Sequence, residues 1–408
     1  MSDLIPMTLG DLVTLQRGHD LPASKRAAGS VPVMGSFGIT GSHDTARAKG
    51  PGVTVGRSGA SIGVVSYTEN DYWPLNTCMY VTDFKGNDPR FVYYFLQTVD
   101  LAAHNSGSAQ PSLNRNYIYP IDIVVPRPAD QREIAALLGA LDEKIELNRR
   151  MSATLEEMSR TLYRSWFVDF DPVHARALGQ SPTHMDAATA ALFPDSFGPN
   201  GLPKGWEIST IGEVAETVGG ATPKTKEPAF WDGPHRWATP RDLSKLDQPV
   251  LFETDRTLTE AGLAKISSGL SPAGTVLLSS RAPIGYVAIA QIPVAVNQGF
   301  IALRETDRIS SVEAYFWVQS NMDAILANAN GSTFQEISKK NFRPLPYVVA
   351  PESVRSAFRD LAGTWFDRVA GLCAESANLA ALRDALLPRL MSGELRIREA
   401  EKEIEEVV

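Results

Sequence analysis

From Gln131 to about Trp166, apolar residues recur at three- and four-residue steps through Ile134, Leu138, Leu141, Ile145, Met151, Leu155, Met158 and Leu162, with no proline and only Gly139 against the pattern. That spacing lays one apolar stripe along an α-helix. The rhythm returns from Pro351 to about Met391 through Phe358, Leu361, Trp365, Leu372, Leu379, Leu382, Leu386 and Leu390. Heptad-like spacing over several turns predicts that the two helices pack lengthwise on each other as an antiparallel coiled coil. Asn148 falls on an apolar position of the first stripe, either as a solvated defect or as a polar pair that fixes register. A helix of about 36 residues is roughly 54 Å long.

Elsewhere the pattern changes to short Val-, Ile- and Tyr-rich stretches bounded by Gly, Pro and Asn, which predict strands. These stretches occur twice in the same order. MTLGDLVTL at 7–15 answers ISTIGEVAET at 208–217, matching Thr8 with Thr210. GVTVGRSGASIGVVSY at 52–67 answers GTVLLSSRAPIGYVAI at 274–289, and WPLNTCMYV at 73–81 answers AVNQGFIAL at 295–303 through Asn76 and Asn297. Tyr94-Phe95 answers Tyr315-Phe316, and GSAQPSLNRNYI at 107–118 answers GSTFQEISKKNF at 331–342, with Leu113 in register with Ile337. Five ordered blocks indicate one fold written twice, with about 20 extra residues early in the second copy. The expected class is α+β: two mixed α/β domains at 1–130 and 206–350, a central spacer helix at 131–167, a linker at 168–205 with one short helix near 185–192, a distal spacer helix at 351–393 and an acidic tail at 394–408.

Composition, 43% hydrophobic and 21% charged, is that of a water-soluble globular chain. The start, MSDLIPMTLGDLV, lacks a basic segment and a long apolar run, so a cytosolic location is expected. Cys78 and Cys373 show no paired spacing and the six histidines form no ligand motif, so neither a disulfide nor a metal site is expected. Net charge is −8, but residues 1–130 and 201–350 are each one negative charge from neutrality; the deficit sits in the helical regions and the tail. Polyanion binding needs a basic face rather than a basic protein, so DNA is permitted.

Phosphate-binding loops, dinucleotide fingerprints and the methyltransferase [DN]-P-P-[YF] signature are absent from the sequence. GASIG at 59–63 fits the G-x-S-x-G pattern around Ser61, but a strand-like VVSYT follows where a helix is needed, and the second copy has Pro283 there. Recognition residues are better represented. Arg57-Ser58-Gly59 in the first copy and Ser280-Arg281 in the second set an arginine among small neighbours, suited to forked contacts with phosphate or guanine. Further candidates for DNA contact are Arg47, Lys49, Arg115, Lys224, Lys226, Arg236, Arg241, Lys339 and Lys340, with Gln298, Gln110 and Gln335 as possible readers of adenine edges.

LYRSWFVDFDPV at 162–173, LFPDSFGPNGLPKGWEISTIGEV at 192–214, RAPIGYVAI at 281–289, VNQGF at 296–300 and GSTFQEISKKNF followed by a long helix resemble the specificity subunits of type I restriction-modification systems. The resemblance implies two target-recognition domains, each reading half of a bipartite asymmetric DNA site, and spacer helices that set the gap. It implies docking of two methyltransferase subunits that bind S-adenosylmethionine, and of a restriction and translocase subunit that uses ATP and Mg, with no cofactor and no catalysis in this chain. The first copy departs from the second in lacking the Trp206-Glu207 opening and in carrying Arg57-Ser58-Gly59 against Arg281-Ala282-Pro283. Two alternatives stay open: a protein scaffold without a DNA role, and a self-contained DNA methyltransferase or nuclease.

Overall fold

The computed structural model describes residues 4–105, 112–331 and 335–406. They form two compact units, one running to Glu146 and resuming at Ala377, the other spanning Leu147–Ser376. Each unit thus takes in part of both long helices, so it is larger than the globular stretches 1–130 and 206–350.

Unit 1 contains strands β1 Ile5–Thr8, β2 Thr14–Arg17, β3 Val31–Gly35, β4 Gly38–His43, β5 Gly52–Gly56, β6 Val65–Thr68, β7 Trp73–Pro74, β8 Cys78–Asp83 and β9 Asp122–Val125. Its helices are α1 Leu9–Leu12, α2 Pro89–Thr98, α3 Arg115–Ile118 and the start of α4 Pro128–Phe167. Thr8 and Asp11 cap α1 reciprocally, and Asp88 caps α2 with Pro89 in its first turn. The strands build an antiparallel sheet in the order β2-β8-β5-β6, a sheet β4-β3-β7 and the pair β1-β9. One apolar core joins Leu12, Val55, Phe91 and Phe95 to Leu138 and Leu141 of α4 and to Leu379, Leu386 and Leu390. Asp142 on α4 pairs with Arg383 at 2.6 Å.

Unit 2 contains α5 Asp171–Ala177, α6 Ala187–Ala190, β10 Glu207–Thr210, α7 Ile211–Val214, β11 Glu216–Val218, β12 Trp231–Ala238, α8 Pro240–Leu243, β13 Val250–Leu251, β14 Arg256–Leu258, α9 Glu260–Leu263, β15 Val276–Ser280, β16 Ile284–Ala290, β17 Val294–Val296 and β18 Phe300–Arg304. It continues through α10 Ser311–Ser320, α11 Met322–Ala327, α12 Lys339–Phe342, β19 Pro346–Val349, α13 Glu352–Phe358 and the start of α14 Thr364–Met391. Its sheets run β11-β18-β15-β16-β13, β14-β12-β17 and β10-β19. Apart from β13, added in parallel beside β16, they reproduce the strand order of unit 1, down to the parallel pairs β3-β7 and β12-β17. The second copy's additional residues include α8 and β13, between β12 and β14, where the first copy turns directly from β3 into β4. A last helix, α15 Ile397–Glu405, occupies the acidic tail and packs through Ala400 into the core of unit 1.

Several expectations need correction. Residues 168–205 do not run free: Val173, Phe193 and Leu202 join Trp206, Tyr163 and Trp166 in the core of unit 2, and the expected short helix shrinks to α6 while α5 was not foreseen. The distal spacer is not one uniform helix, because Arg359–Gly363 form a π-helical turn between α13 and α14. A π turn takes up an extra residue and rotates the stripe. Ala362, Phe366 and Val369 are buried instead of Leu361, which is exposed, and Trp365, which is half-buried. On α4, Met151 and Met158 face solvent while Ser152 and Ser159 are buried; Leu155 and Leu162 pack partly against the core. Within unit 2 the helices run antiparallel, Asn148 bonding Glu375 at 2.8 Å and Ser152 meeting Cys373 at 3.9 Å. Asn148 is fully buried, so it is a polar pair across the helices and not a solvated defect.

Candidate nucleic-acid interface

In each unit the tip of one hairpin gathers with three other loops. In unit 1 that tip joins β5 to β6. Arg57 donates its backbone N–H to Thr77 (3.1 Å) in the β7–β8 turn, and its carbonyl accepts from Leu113 (2.8 Å) in the closing loop. Its guanidinium reaches the Asn76 carbonyl at 3.4 Å. The Asn76 amide donates to Asp20, in the loop after β2. In unit 2 the tip joins β15 to β16, and Ser280 donates to Gly299 (2.7 Å) while accepting from Ile337 (3.0 Å). Thr222, after β11, donates to Gln298 at 2.5 Å. Leu113 and Ile337, matched from sequence, are buried at the same place in both copies.

Backbone partners change the alignment of the tip. Arg57 is the counterpart of Ser280, and Ser58, bridged to Ser112, is the counterpart of Arg281, bridged to Glu336. The residues between the paired positions Val55 and Val65 outnumber by one those between Leu278 and Val287, so matching by identity across the tip slipped by a residue. By the same logic Asn76 corresponds to Gln298, not Asn297, since Pro74 pairs with Met34 where Val296 pairs with Ala238. Gly59 (φ +65°) and Ala282 (φ +54°) both take the left-handed conformation at the turn. A Cβ on Gly59 would meet nothing within 4 Å, so glycine serves backbone freedom there, and Ala282 holds the same bend at a cost of about 1–2 kcal/mol.

The two arginines are held differently. Arg57 is half-buried against the Asn76 backbone, whereas Arg281 lies 3.8 Å from the Glu336 carboxylate with about a third of its side chain exposed. Ser280 is buried at 3% exposure and cannot present its hydroxyl to a ligand, so its role is structural. Ser61 is likewise buried, its hydroxyl donating to the Ser58 carbonyl at 2.7 Å. The unit 1 cluster includes His19, which sequence reasoning passed over; it lies 3.3 Å from the Tyr80 hydroxyl. Burial, and next the Arg47 guanidinium, hold its imidazole below the usual value while Asp20 opposes them. Arg47 is exposed, its backbone N–H bonded to the Tyr72 carbonyl at 2.9 Å.

The remaining candidates lie elsewhere or serve the scaffold. Arg115 donates to the Leu15 carbonyl at 2.9 Å, and Lys339 lies over Gly219, where a Cβ would come within 3.2 Å of Nζ. Arg236 sits half-buried in β12 opposite Val294, and the Lys224 carbonyl accepts from the Trp231 indole at 3.1 Å. Lys49, Lys226, Arg241, Lys340 and Gln335 are exposed. Gln110 lies outside the described residues. Cys78 and Cys373 are buried and share no disulfide, burial raising their thiols to about 12 and about 11. Among the described residues no group of acidic, His and Cys side chains could hold a metal ion, and no helix is long and apolar enough to cross a membrane.

The chain is thus one fold written twice, with the same four loops gathered in each copy. The chain belongs to the type I restriction modification DNA specificity domain family, whose profile matches residues 1–157 and 203–346. It is similar to the type I restriction enzyme MjaIX specificity subunit of Methanocaldococcus jannaschii, at 36% identity over 169 residues covering 39% of each chain. It is also similar to the type I restriction enzyme HindI specificity subunit of Haemophilus influenzae, at 24% identity over 357 residues covering 75% of this chain and 77% of that one. The crystal structure of the type I restriction-modification system S subunit from M. genitalium shares the fold, with a TM-score of 0.59 at 18% identity over 96% of both chains.

Proposed function

We propose that this chain is the non-catalytic, sequence-reading subunit of a type I modification and restriction assembly. Each unit reads one half of a bipartite, asymmetric DNA site through its hairpin-tip cluster. The observation that carries this reading is the pairing of equivalent backbone architecture with unlike side chains: Arg57, Ser58, Asp20 and Asn76 in one copy stand where Ser280, Arg281, Thr222 and Gln298 stand in the other. One scaffold with two chemistries suits two different half-sites. Joining the two readers in one chain makes the second contact effectively intramolecular.

The long helices α4 and α14 set the gap between half-sites and dock two methyltransferase subunits, which hold S-adenosylmethionine; a restriction and translocase subunit using ATP and Mg completes the assembly. With both globular stretches near electrical neutrality, the chain alone binds DNA weakly and in a salt-sensitive way, its partners adding positive charge. Incubating the purified chain with DNA and a labelled methyl donor tests the division of labour. No transfer occurs until methyltransferase subunits are added; turnover by the chain alone contradicts the proposal.

A further inference from the structure

We infer that the side-chain pairs Asp20–Asn76 and Thr222–Gln298 are the base-reading heads of the two copies, and that they read opposite edge chemistry. The inference rests on the reading that the hairpin-tip loops face DNA, and it names which groups there carry specificity and what each accepts.

The pairs occupy the same place in the duplicated fold, one residue from the loop after β2 or β11 and one from the turn before β8 or β18. Nearby substitutions between copies preserve a contact that holds the scaffold. Tyr119 and Arg343 differ, yet each bonds the backbone of the counterpart residues Leu15 and Thr217. At the two pairs the mutual bond is kept while the group left over is reversed. A carboxylate only accepts, so Asp20 obliges the Asn76 NH2 to face it, which leaves Asn76 Oδ1 and the second Asp20 oxygen as acceptors. An acceptor pair takes an exocyclic amino group, cytosine N4 or adenine N6 in the major groove. In unit 2 the Thr222 hydroxyl donates to Gln298 Oε1, which leaves the Nε2 hydrogens for an accepting edge, guanine O6 and N7 or thymine O4. Asp20, Thr222 and Gln298 are exposed, and Asn76 is half-buried. The Asp20 carboxylate orients the Asn76 amide before any ligand arrives, which lowers the ordering cost of binding, and Thr222 holds the Gln298 amide through its Oε1.

The test determines the methylated motif by sequencing genomic DNA from cells carrying the full chain and its partners, as wild type, as Asp20→Asn and as Gln298→Glu. Asp20→Asn lets the Asn76 amide turn over; Gln298→Glu keeps the Thr222 bond and replaces outward donors with an acceptor. Each substitution relaxes or changes one specified position of one half-site, by about tenfold in relative methylation, and the two act on different halves. An unaltered motif from both variants, or a change in both halves from one of them, overturns the inference. Because the substitutions lie in separate units, outright loss of methylation in one leaves the other to decide. A wild type that confers no motif of its own defeats the proposed function instead, which is a separate result.

Discussion

Glu313 is buried in unit 2 at 2% exposure, its carboxylate accepting from the Tyr347 hydroxyl. Burial raises its carboxyl to about 7, against the smaller opposing influence of the Tyr347 hydroxyl and Arg355. Its folded value lies above the unfolded one of about 4.5, so the folded state holds the extra proton. Its stability contribution is therefore full below about pH 4.5 and is lost as pH rises through 7, a change of up to about 3 kcal/mol. Calorimetry at pH 5.5 and pH 8 should show unit 2 melting lower at the higher pH, and Glu313→Gln should flatten that difference; an equal drop in the variant assigns it elsewhere. At this scale the sequence was legible where apolar burial repeats, as at Leu113 and Ile337. It was not legible at Arg57 and Arg281, because tips differing by one residue put the arginines at different places. Nor could the buried Ser280 be told from an exposed serine, since only the backbone turn decides which way it faces.

Helical periodicity located both long helices to within a few residues, and it gave the unit 1 stripe through Ile134, Leu138, Leu141 and Ile145 correctly. It failed where local geometry departs from 3.6 residues per turn. The π turn at Arg359–Gly363 shifts burial from Leu361 to Ala362 and from Trp365 to Phe366. No residue in that stretch announces the extra turn, since leucine and tryptophan fit the apolar stripe as well as alanine and phenylalanine do. Phe358, fully buried, sits before the turn, 5.1 Å from the Phe167 ring. Deleting Leu361 removes the additional residue and lets α13 and α14 join as one α-helix that keeps Phe358 and Phe366 on one face. Circular dichroism should show a melting shift of a few degrees at most. A single-residue deletion after Phe366, which rotates Val369 and Leu372 out of the core, should cost about 3 kcal/mol or more. Equal losses from the two deletions would contradict this account of the turn.

The duplication was the most legible feature of the whole chain, because its Gly, Pro and Asn punctuation repeats in order, and the strand orders of the two units agree with it. Less visible was the packing of residues 168–205, whose prolines and glycines suggest a linker while Val173, Phe193 and Leu202 join the core. If the helices set the gap between half-sites, inserting seven residues into α4 near Glu146 and seven into α14 near Ala377 adds about 10 Å, close to three base pairs. The methylated motif should then keep both halves and lengthen its spacer by that amount; an unchanged spacer with methylation intact contradicts a ruler role. The central claim, that this chain chooses a two-part DNA sequence for its partners, is tested most directly by single-molecule methylome sequencing of the host with and without its gene. One bipartite, asymmetric methylated motif should disappear and return on complementation; an identical set of methylated motifs in both strains would contradict the account.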